Sequence, residues 1–453
     1  MKNGLGFKLF KGYVRFFHDV LYYKRHHWLD TENIPEKGPL MIVSDHQNSL
    51  NDALAILMAI DKRKEKKLRI VARADVFKPW GKKALDWLGM LPAFRLSYEG
   101  EESLANNEGT FSEAEVELNN DGTLIIYPEA GHQDKHWLGK FSLGYLRMLF
   151  QAAEKNNFEK ELFILPSCNH YSNYFDIQED VLIRFGTPIS IAPFYELYKT
   201  KPRTAQRQVN ELVREQISAM MLNITDLENY EAIDFLRRNT FGIDYAKERG
   251  FDPDKLPEKL LADKQLFADL EQLKETDEEK IHTIYDNVGK LEEKIKELKL
   301  KETDFSRKES LPRLMAKGVL LALLLPLFLF ACIPNIIIYY VPNIFISRIN
   351  DKMFYGCFRL AISILITIPI LYPLTALLTW FITKSMLIAL IHLVCLPFLA
   401  IFAWRYAKGF MQWITDLRFN RLFKRGGLNH VIELRSSIYE SINRLVRKAK
   451  IEK

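Results

Sequence analysis

The 453-residue chain has few cysteines, little charge imbalance and no excess of glycine or proline, and each shortage excludes a class of protein. The 21 glycines and 18 prolines exclude a collagen-like or low-complexity chain. The 63 lysines and arginines against 57 aspartates and glutamates leave a formal charge of +6, too small to predict nucleic-acid binding by itself. No paired cysteine spacing occurs, which excludes a disulfide scaffold and the common zinc patterns; the four cysteines are Cys168, Cys332, Cys357 and Cys395.

The N-terminus lacks an apolar segment ending at a small-residue cleavage site, so we expect no cleavable secretory signal. Residues 1–28 are instead basic, with aromatic side chains at helical spacing. Such a helix either lies in the headgroup plane of a membrane or packs on a domain as a surface helix. We assign residues 1–30 to this basic amphipathic helix and leave both alternatives open.

The average composition is typical of a soluble protein, but the sequence contains three long apolar runs. Residues 318–341 and 360–383 carry no charge, and residues 385–404 carry only His392 as an ionisable group. Each run can cross a hydrocarbon core of about 30 Å at 1.5 Å per helical residue. The pattern therefore predicts a membrane-embedded region over residues 311–405.

The charges that flank these runs favour one topology. Basic residues lie on both sides of the first run, and more follow the third, so the positive-inside rule predicts a hairpin of residues 360–383 and 385–404 with both ends cytoplasmic. Prolines interrupt the first run, which either re-enters the membrane or spans it. Residues 406–453 then form a basic cytoplasmic tail.

The polar part of the chain predicts an α/β domain over residues 31–205. Short apolar segments bounded by turn residues predict strands at Leu40–Ser44, Leu68–Arg73, Thr123–Tyr127 and Leu162–Pro166. Residues 206–310 turn to long helices rich in Glu and Lys, which predict a polar helical connector. Thr276 and Glu279 offer a capping box at the start of one of them.

His46 follows the first predicted strand, at the place where α/β folds gather their catalytic groups. A carboxylate fixes the tautomer of such a histidine, and Asp52 is the nearest downstream candidate. On one continuous helix the two residues would lie roughly 240° apart, so they converge only if the chain turns and the helix starts near Ser49. The alternative is a capping box of Ser49 and Asp52 without catalytic meaning.

Further short motifs favour a catalytic role for His46 over the capping-box alternative. They are Ile34-Pro35-Glu36-Lys37-Gly38-Pro39, Ala72-Arg73-Ala74-Asp75-Val76-Phe77-Lys78-Pro79, Gly89-Met90-Leu91-Pro92-Ala93-Phe94-Arg95, Ile126-Tyr127-Pro128-Glu129-Ala130-Gly131-His132 and Ile164-Leu165-Pro166-Ser167. In this order and spacing, over about residues 30–195, the chain resembles the glycerolipid acyltransferases of the glycerol-3-phosphate and lysophosphatidate class. The hydrophobic C-terminal region is similar to that of bacterial members. The resemblance implies an α/β domain built on a mixed sheet flanked by helices.

The resemblance also implies roles for individual residues. His46 is then the general base and Asp52 its partner. Arg95 and Glu129 fall where the family binds the acceptor, Arg95 on its phosphate, and Pro166 falls in the block linked to the acyl donor; the residues implied in substrate binding are Arg95, Glu129, Gly131 and Pro166. Two departures stand out. The family spaces His and Asp by four residues, which here would select Asn51, and its Pro-Glu-Gly-Thr block here ends in Ala130-Gly131.

The implied activity is transfer of a fatty acyl group from acyl-CoA or acyl carrier protein to glycerol 3-phosphate or 1-acylglycerol 3-phosphate, in phospholipid biosynthesis. Membrane lipids are then partners, and neither a cofactor, a metal nor a nucleic acid is implied. The catalytic domain would face the cytoplasm at a bacterial inner membrane. The rivals are an acyltransferase for another lysolipid or aminolipid, and a non-enzymatic membrane lipid-binding protein.

Overall fold

The computed structural model describes residues 4–60, 63, 68–79, 81–93, 107–129, 131, 134–307, 309–349 and 351–451. The chain divides by its contacts into two units. The first contains residues 1–223 and 338–365, and the second contains residues 224–337 and 366–453. The domain boundaries drawn from the sequence remain predictions beside this division.

The first unit is built on a mixed sheet. Its strands are β1 (Tyr23–Leu29), β2 (Leu40–Ser44), β3 (Leu68–Arg73), β4 (Met90–Ala93), β5 (Thr123–Ile126), β6 (Phe163–Tyr171), β7 (Glu179–Phe185) and β8 (Ile189–Ser190). They lie in the order β1-β7-β6-β2-β5-β3-β4, with β8 paired to β6. The central strands run parallel, and β6 meets β7 and β8 antiparallel. The expected mixed α/β sheet is confirmed.

Helices cover this sheet and share its core. β2 is buried along its whole length, which explains why it reads as a continuous apolar run without alternation. Side chains such as Met41, Leu124, Leu149, Phe150 and Val213 form one cluster between strands and helices. The helices of residues 1–223 are α1 (Leu5–Phe16), α2 (Leu50–Ala59), α3 (Lys82–Trp87), α4 (Asn107–Asn119), α5 (Gly144–Lys155), α6 (Tyr195–Thr200) and α7 (Pro202–Met220).

The N-terminal helix is shorter than the sequence pattern predicts. α1 continues as a π-helical turn over Phe17–Tyr22 and then gives way to β1. β1 pairs in parallel with β7, so that His26 lies opposite Val181. Aromatic and β-branched residues favour strands when a sheet edge is available, and this tertiary pairing overrides the helical periodicity of residues 23–28.

The second unit is helical, and its polar helices have an apolar core of their own, which includes Leu260, Leu270, Ile281, Val288 and Leu291. The capping box expected at Thr276 does not form. Thr276 ends one helix, and the side chain of Asp277 caps the next by accepting the N–H of Lys280 at 3.3 Å. The helices from residue 224 to 297 are α8 (Tyr230–Arg238), α9 (Thr240–Glu248), α10 (Leu256–Thr276) and α11 (Glu278–Glu297).

Within the described part of the chain, three helices are long and apolar enough to cross a membrane: Leu311–Arg348, Phe354–Thr383 and Met386–Lys424. They extend each predicted run at one or both ends and indicate membrane association. Whether the first one re-enters or spans remains a prediction. The regular helices here are α12 (Leu311–Cys332), α13 (Ile336–Ile349), α14 (Phe354–Ile362), α15 (Tyr372–Thr383) and α16 (Met386–Lys424), with a π-helical stretch at Ser363–Leu371, and α17 (Asn429–Ile451) follows.

Candidate active site

The candidate site lies at the carboxyl edge of the parallel strands. β2 pairs in parallel with both β5 and β6, so the ends of all three strands meet at this edge. His46 follows β2 by two residues, and Glu129 follows β5 by three. β6 extends past its pairing with β2 and carries Tyr171 towards the start of α2. The sheet topology therefore brings residues from distant parts of the sequence to one place.

The turn between β2 and α2 wraps around the carboxylate of Asp52. Asp52 Oδ2 lies 2.8 Å from His46 Nδ1 and accepts the backbone N–H groups of Gln47 at 2.9 Å and Asn48 at 2.8 Å. Ser49 has φ 51°, a left-handed conformation that reverses the chain just before α2 begins at Leu50. The two residues thus converge through the turn that their spacing requires.

The capping-box alternative for Ser49 and Asp52 is not what the structure has. The side chain of Ser49 makes no capping hydrogen bond, and the carboxylate of Asp52 holds the preceding turn and the imidazole. Asp52 is fully buried, whereas the His46 side chain keeps 17% of its surface exposed. A buried carboxylate at Nδ1 favours the tautomer in which Nδ1 carries the proton and Nε2 is the basic nitrogen.

Two tyrosines complete the surroundings of this pair. Tyr171 donates its hydroxyl to Asp52 Oδ1 at 2.7 Å, so both carboxylate oxygens of Asp52 are engaged. Burial and the charge of Asp52 raise the pKa of Tyr171, which keeps its hydroxyl protonated and donating. The Tyr127 ring stacks on the imidazole of His46 with centroids 4.3 Å apart. Asp52 therefore contacts the edge of the imidazole ring, and Tyr127 contacts its face.

Glu129 supports the same turn from β5. Its Oε1 accepts the backbone N–H of His46 at 3.0 Å, and its Oε2 accepts the N–H of Gly139 at 2.7 Å. Burial raises the pKa of Glu129, and the two backbone donors act against that rise. Because both oxygens bind backbone donors, these contacts favour a positioning role, while acceptor binding remains a prediction.

A second buried carboxylate, Asp45, lies beside the pair. Its Oδ1 accepts the N–H of Asn169 at 2.8 Å and the Ser44 hydroxyl at 3.2 Å, whereas its Oδ2 is buried without a hydrogen-bond partner. Burial, together with the charges of Asp52 and Glu129, raises the pKa of Asp45 well above its ordinary value. No sequence pattern singles out Asp45, because the acid adjoining a histidine points to the other side of an extended chain.

A cavity of about 1150 Å³ opens beside His46. Apolar side chains from α1, α2 and α14 form much of its lining, including Phe10, Leu54 and Phe358. His46, Tyr127 and Gly131 line it as well, so the imidazole borders an apolar space. Among the described residues, Lys11, Arg73 and Arg147 add positive charge to the lining. Such a combination suits an amphiphile with a long apolar chain and an anionic group.

The other predicted site residues are placed differently. Gly131 is exposed at the cavity wall, and an added Cβ there would meet nothing within 4 Å. Pro166 is buried in β6 beside Val43, where its carbonyl accepts the N–H of Gly186 at 2.8 Å. Arg95 lies outside the described residues. The binding roles of all three remain predictions.

One cluster in the described part of the chain places three potential metal ligands within 4.8 Å of one another, formed by His18, Asp19 and His26. The Asp19 carboxylate is already shared. Its Oδ1 lies 2.7 Å from His18 Nδ1, and its Oδ2 accepts from Arg15 Nε at 3.2 Å. A guanidinium on the same carboxylate opposes a divalent cation, so the cluster is better explained as an ion-pair network that ties α1 to β1.

Comparison with known proteins identifies the domain around this site. The family model described as Acyltransferase matches residues 27–170, a range that contains His46, Asp52 and Glu129. Residues 27–170 therefore form an acyltransferase domain. The protein is an acyltransferase enzyme, and lipid substrates and an acyl donor follow from that family. The acyltransferase match ends inside β6, one residue before Tyr171.

Among solved structures, the acyltransferase domain is similar to the 1-acyl-sn-glycerophosphate acyltransferase from Thermotoga maritima. The two are 18% identical, with a TM-score of 0.30, and the match covers 45% of this chain and 78% of that chain. Because identity and TM-score are both low, the assignment rests on the family match, and the mixed sheet agrees with it. The search of curated proteins gives no significant match.

Sequence reasoning missed Tyr171, Tyr127 and Asp45 as members of the acyltransferase site. Tyr171 is 119 residues from Asp52, and no local pattern links the two. Tyr127 was visible only as part of the Tyr127-Pro128-Glu129 motif. Its position directly after a strand that pairs with β2 was the one signal that could have identified it as a residue of the candidate site.

Proposed function

We propose that this protein transfers a fatty acyl group from acyl-CoA or acyl carrier protein to the hydroxyl of glycerol 3-phosphate or 1-acylglycerol 3-phosphate. The observation that carries the proposal is the contact of His46 with the buried Asp52 at the wall of an apolar cavity. His46 Nε2 removes the proton of the acceptor hydroxyl as its oxygen attacks the thioester carbonyl. The thiol leaves as the carbonyl re-forms, and the proton taken up by His46 returns to the thiolate.

The surroundings support His46 as the base. Asp52 stabilises the imidazolium that forms, and it fixes the tautomer that leaves Nε2 unprotonated beforehand. Tyr171 and the two turn amides keep the carboxylate of Asp52 from rotating. The hydroxyl attacks the thioester directly, so the reaction requires no acyl-enzyme intermediate.

The cavity supports the substrate class. Its apolar lining suits the acyl chain, and its cations suit an acceptor phosphate. Arg73 lies at the end of β3, and its guanidinium also pairs with Asp75 at 3.0 Å. Arg95, carried over from the family resemblance, is the further proposed phosphate ligand. The product of glycerol 3-phosphate acylation, and phosphatidic acid after a second acylation, would remain in the membrane leaflet.

The three apolar helices support a location at the membrane. We place the acyltransferase domain on the cytoplasmic face of a bacterial inner membrane, because acyl-CoA and acyl carrier protein are water-soluble donors inside the cell and because basic residues flank the apolar helices. A cysteine-accessibility map tests this. Labelling of the C-terminal tail from the periplasmic side would overturn the orientation.

The decisive experiment is an acyl-transfer assay on the full chain in detergent, with radiolabelled acyl-CoA or acyl-carrier-protein donors and a panel of acceptors. Wild type is expected to acylate a phosphate-bearing glycerol acceptor, and His46→Ala to lose about 10³-fold or more in kcat. His282→Ala, at a half-buried position of α11 in the second unit, is the matched control and should retain wild-type activity.

Two outcomes would overturn parts of the proposal. Equal turnover by wild type and His46→Ala would remove the proposed base. Acylation of lysolipids without a phosphomonoester, or of an aminolipid, in preference to glycerol 3-phosphate and its 1-acyl derivative would replace the proposed acceptor. Absence of transfer to any acceptor on the panel would favour the lipid-binding alternative.

A further inference from the structure

The segment of residues 351–365 belongs by its contacts to the first unit, although it stands more than 125 residues beyond the end of that unit's N-terminal part. It contains α14 and the first turn of the π-helical stretch, and it starts the second apolar run. We name it the returning segment. A helix that only spans a membrane needs apolar side chains. The returning segment also carries Gly356, Cys357 and Arg359, which make specific contacts with the acyltransferase domain.

Arg359 fastens the returning segment to the acyltransferase domain. The residue is only 4% exposed, and a buried guanidinium is costly unless it is paired. Its Nη1 donates to the backbone carbonyl of Phe175, in the loop between β6 and β7, and its guanidinium lies 4.2 Å from the ring centroid of Tyr355. These polar contacts place the returning segment at one position on the acyltransferase domain, which apolar packing alone would not do.

Gly356 and Cys357 meet the start of α2. A Cβ at position 356 would fall 2.8 Å from both Asn51 Nδ2 and the Tyr22 hydroxyl, so a larger residue there would have to displace these two buried side chains. The backbone N–H of Leu50, which starts α2, donates to Cys357 Sγ at 3.1 Å. The first N–H groups of a helix need partners from outside it, and the side chain of Ser49 supplies none. Cys357 therefore completes the helix start that holds Asp52.

The same segment forms one wall of the cavity. Phe354, Phe358, Ala361 and Ile364 line it from α14 and the turn after it. Leu54 and Leu57 of α2 line the cavity as well, and the hydroxyl of Tyr13 in α1 donates to the carbonyl of Ile364 at 2.7 Å. The apolar space beside His46 is thus closed by a part of the chain that the acyltransferase family match over residues 27–170 does not include.

We infer that the returning segment is a working part of the active site, in which Phe358 and Ala361 set the length of acyl chain that is accepted and Cys357 is a positioning residue for the His46–Asp52 turn. The inference rests on the proposed acyl transfer and deepens it. A larger side chain at position 361 removes volume from the cavity, and a smaller one at position 358 adds it. The two substitutions therefore act in opposite directions on acyl length.

The experiment measures kcat/KM for a series of saturated acyl donors of increasing length, with the full chain in detergent. Ala361→Phe is expected to lower kcat/KM for the longest accepted donor by roughly tenfold or more relative to the shortest, and Phe358→Ala to shift the optimum to longer donors. Ala322→Phe makes the same change at an exposed position of α12 and should leave the profile unchanged. Unchanged profiles in both cavity variants, with wild type active, would overturn the inference alone.

The role of Cys357 has its own readout. Cys357→Ala removes the acceptor for the Leu50 N–H. We expect this variant to lower kcat several-fold with little change in the KM of the acyl donor. The pH profile of kcat/KM should also differ from that of wild type, because the turn that holds His46 and Asp52 is disturbed. Cys357→Ser retains an acceptor and should recover most of the loss. Equal behaviour of the alanine and serine variants, or a change in KM alone, would refute the positioning role. A wild type inactive with every donor would refute the proposed function instead.

Discussion

Glu129 Oε1 accepts the backbone N–H of His46 at 3.0 Å, although the two residues are 83 positions apart. The other oxygen of the same carboxylate accepts the N–H of Gly139 at 2.7 Å. Glu129 therefore joins the β2–α2 turn to the loop after β5. Glu129 thus holds the backbone of His46 from outside the turn, while Asp52 holds the turn from within.

Gly139→Ala should separate Glu129 from that loop. An added Cβ would stand 2.6 Å from Glu129 Oε2, which is too close for both to keep their positions. We expect kcat to fall about tenfold, with a loss of stability of about 1–3 kcal/mol from the strained carboxylate. Acyl transfer and denaturant unfolding measure the two effects. Gly109→Ala, where an added Cβ meets nothing within 4 Å, is the control. A Gly139→Ala enzyme as active and as stable as this control would contradict the prediction.

Tyr171→Phe and Tyr127→Phe should differ although each removes one buried hydroxyl. Loss of the Tyr171 hydroxyl leaves Asp52 Oδ1 without its donor and should cost about 1–3 kcal/mol in stability together with a fall in kcat. The Tyr127 hydroxyl is buried without a hydrogen-bond partner, and phenylalanine keeps the ring that stacks on His46. Tyr127→Phe should therefore be neutral or slightly stabilising. Thermal unfolding and the transfer assay compare them, and a larger loss in Tyr127→Phe would reverse the assignment.

The spacing between His46 and its partner can be tested by exchange. Asp52→Asn should lower kcat by about 10³-fold, because an amide cannot stabilise the imidazolium and presents a donor where the turn needs an acceptor. Combining it with Asn51→Asp restores an acid at the spacing of four residues. We expect no recovery, since position 51 lies about 100° around α2 from position 52. Recovery to within tenfold of wild type would show that the turn, not the register, selects the partner.

Asp45 predicts a pH dependence of stability. Its pKa is raised in the folded protein, so the folded state binds the proton more tightly than the unfolded state does. The contribution of Asp45 to the free energy of unfolding is therefore fully present below the ordinary pKa of an aspartate, near 4. That contribution is lost as the pH rises from there towards the raised pKa of the folded protein. Asp45→Asn abolishes the titration, keeps an acceptor for Asn169 and should raise Tm by a few degrees at pH 8. The gain should shrink on going to pH 5. A gain that is constant or larger at pH 5 would contradict the sign.

Local patterns predicted the strands well because buried strands of a parallel sheet are short apolar runs. β2 and β3 have the predicted bounds, whereas β6 continues to Tyr171, five residues beyond the predicted end at Pro166. That extension contains Ser167, Asn169 and His170, whose polarity concealed it. Asn169 is buried because it faces polar groups of the active-site edge: its Nδ2 donates to the Ser44 hydroxyl at 2.9 Å and to the Asp45 carbonyl at 3.2 Å.

The nearest partners of His46 were predictable in part. Asp52 lies within the same turn, so sequence spacing was enough to propose it, and Glu129 came from the resemblance. Tyr171 and Cys357 could not be found in this way. Their contacts depend on the tertiary pairing of β6 and on the return of a distant apolar helix, and periodicity carries no information about either.

The hydrogen bond between Leu50 and Cys357 spans 307 residues of sequence. A ribosome supplies the chain from the N-terminus, so the whole sheet, the polar helices and the first apolar run are synthesised before this acceptor exists. Closing so long a loop is also entropically slow compared with pairing the strands around β2. The start of α2 therefore lacks this partner until residue 357 has been synthesised, and the nascent acyltransferase domain remains without that contact until then.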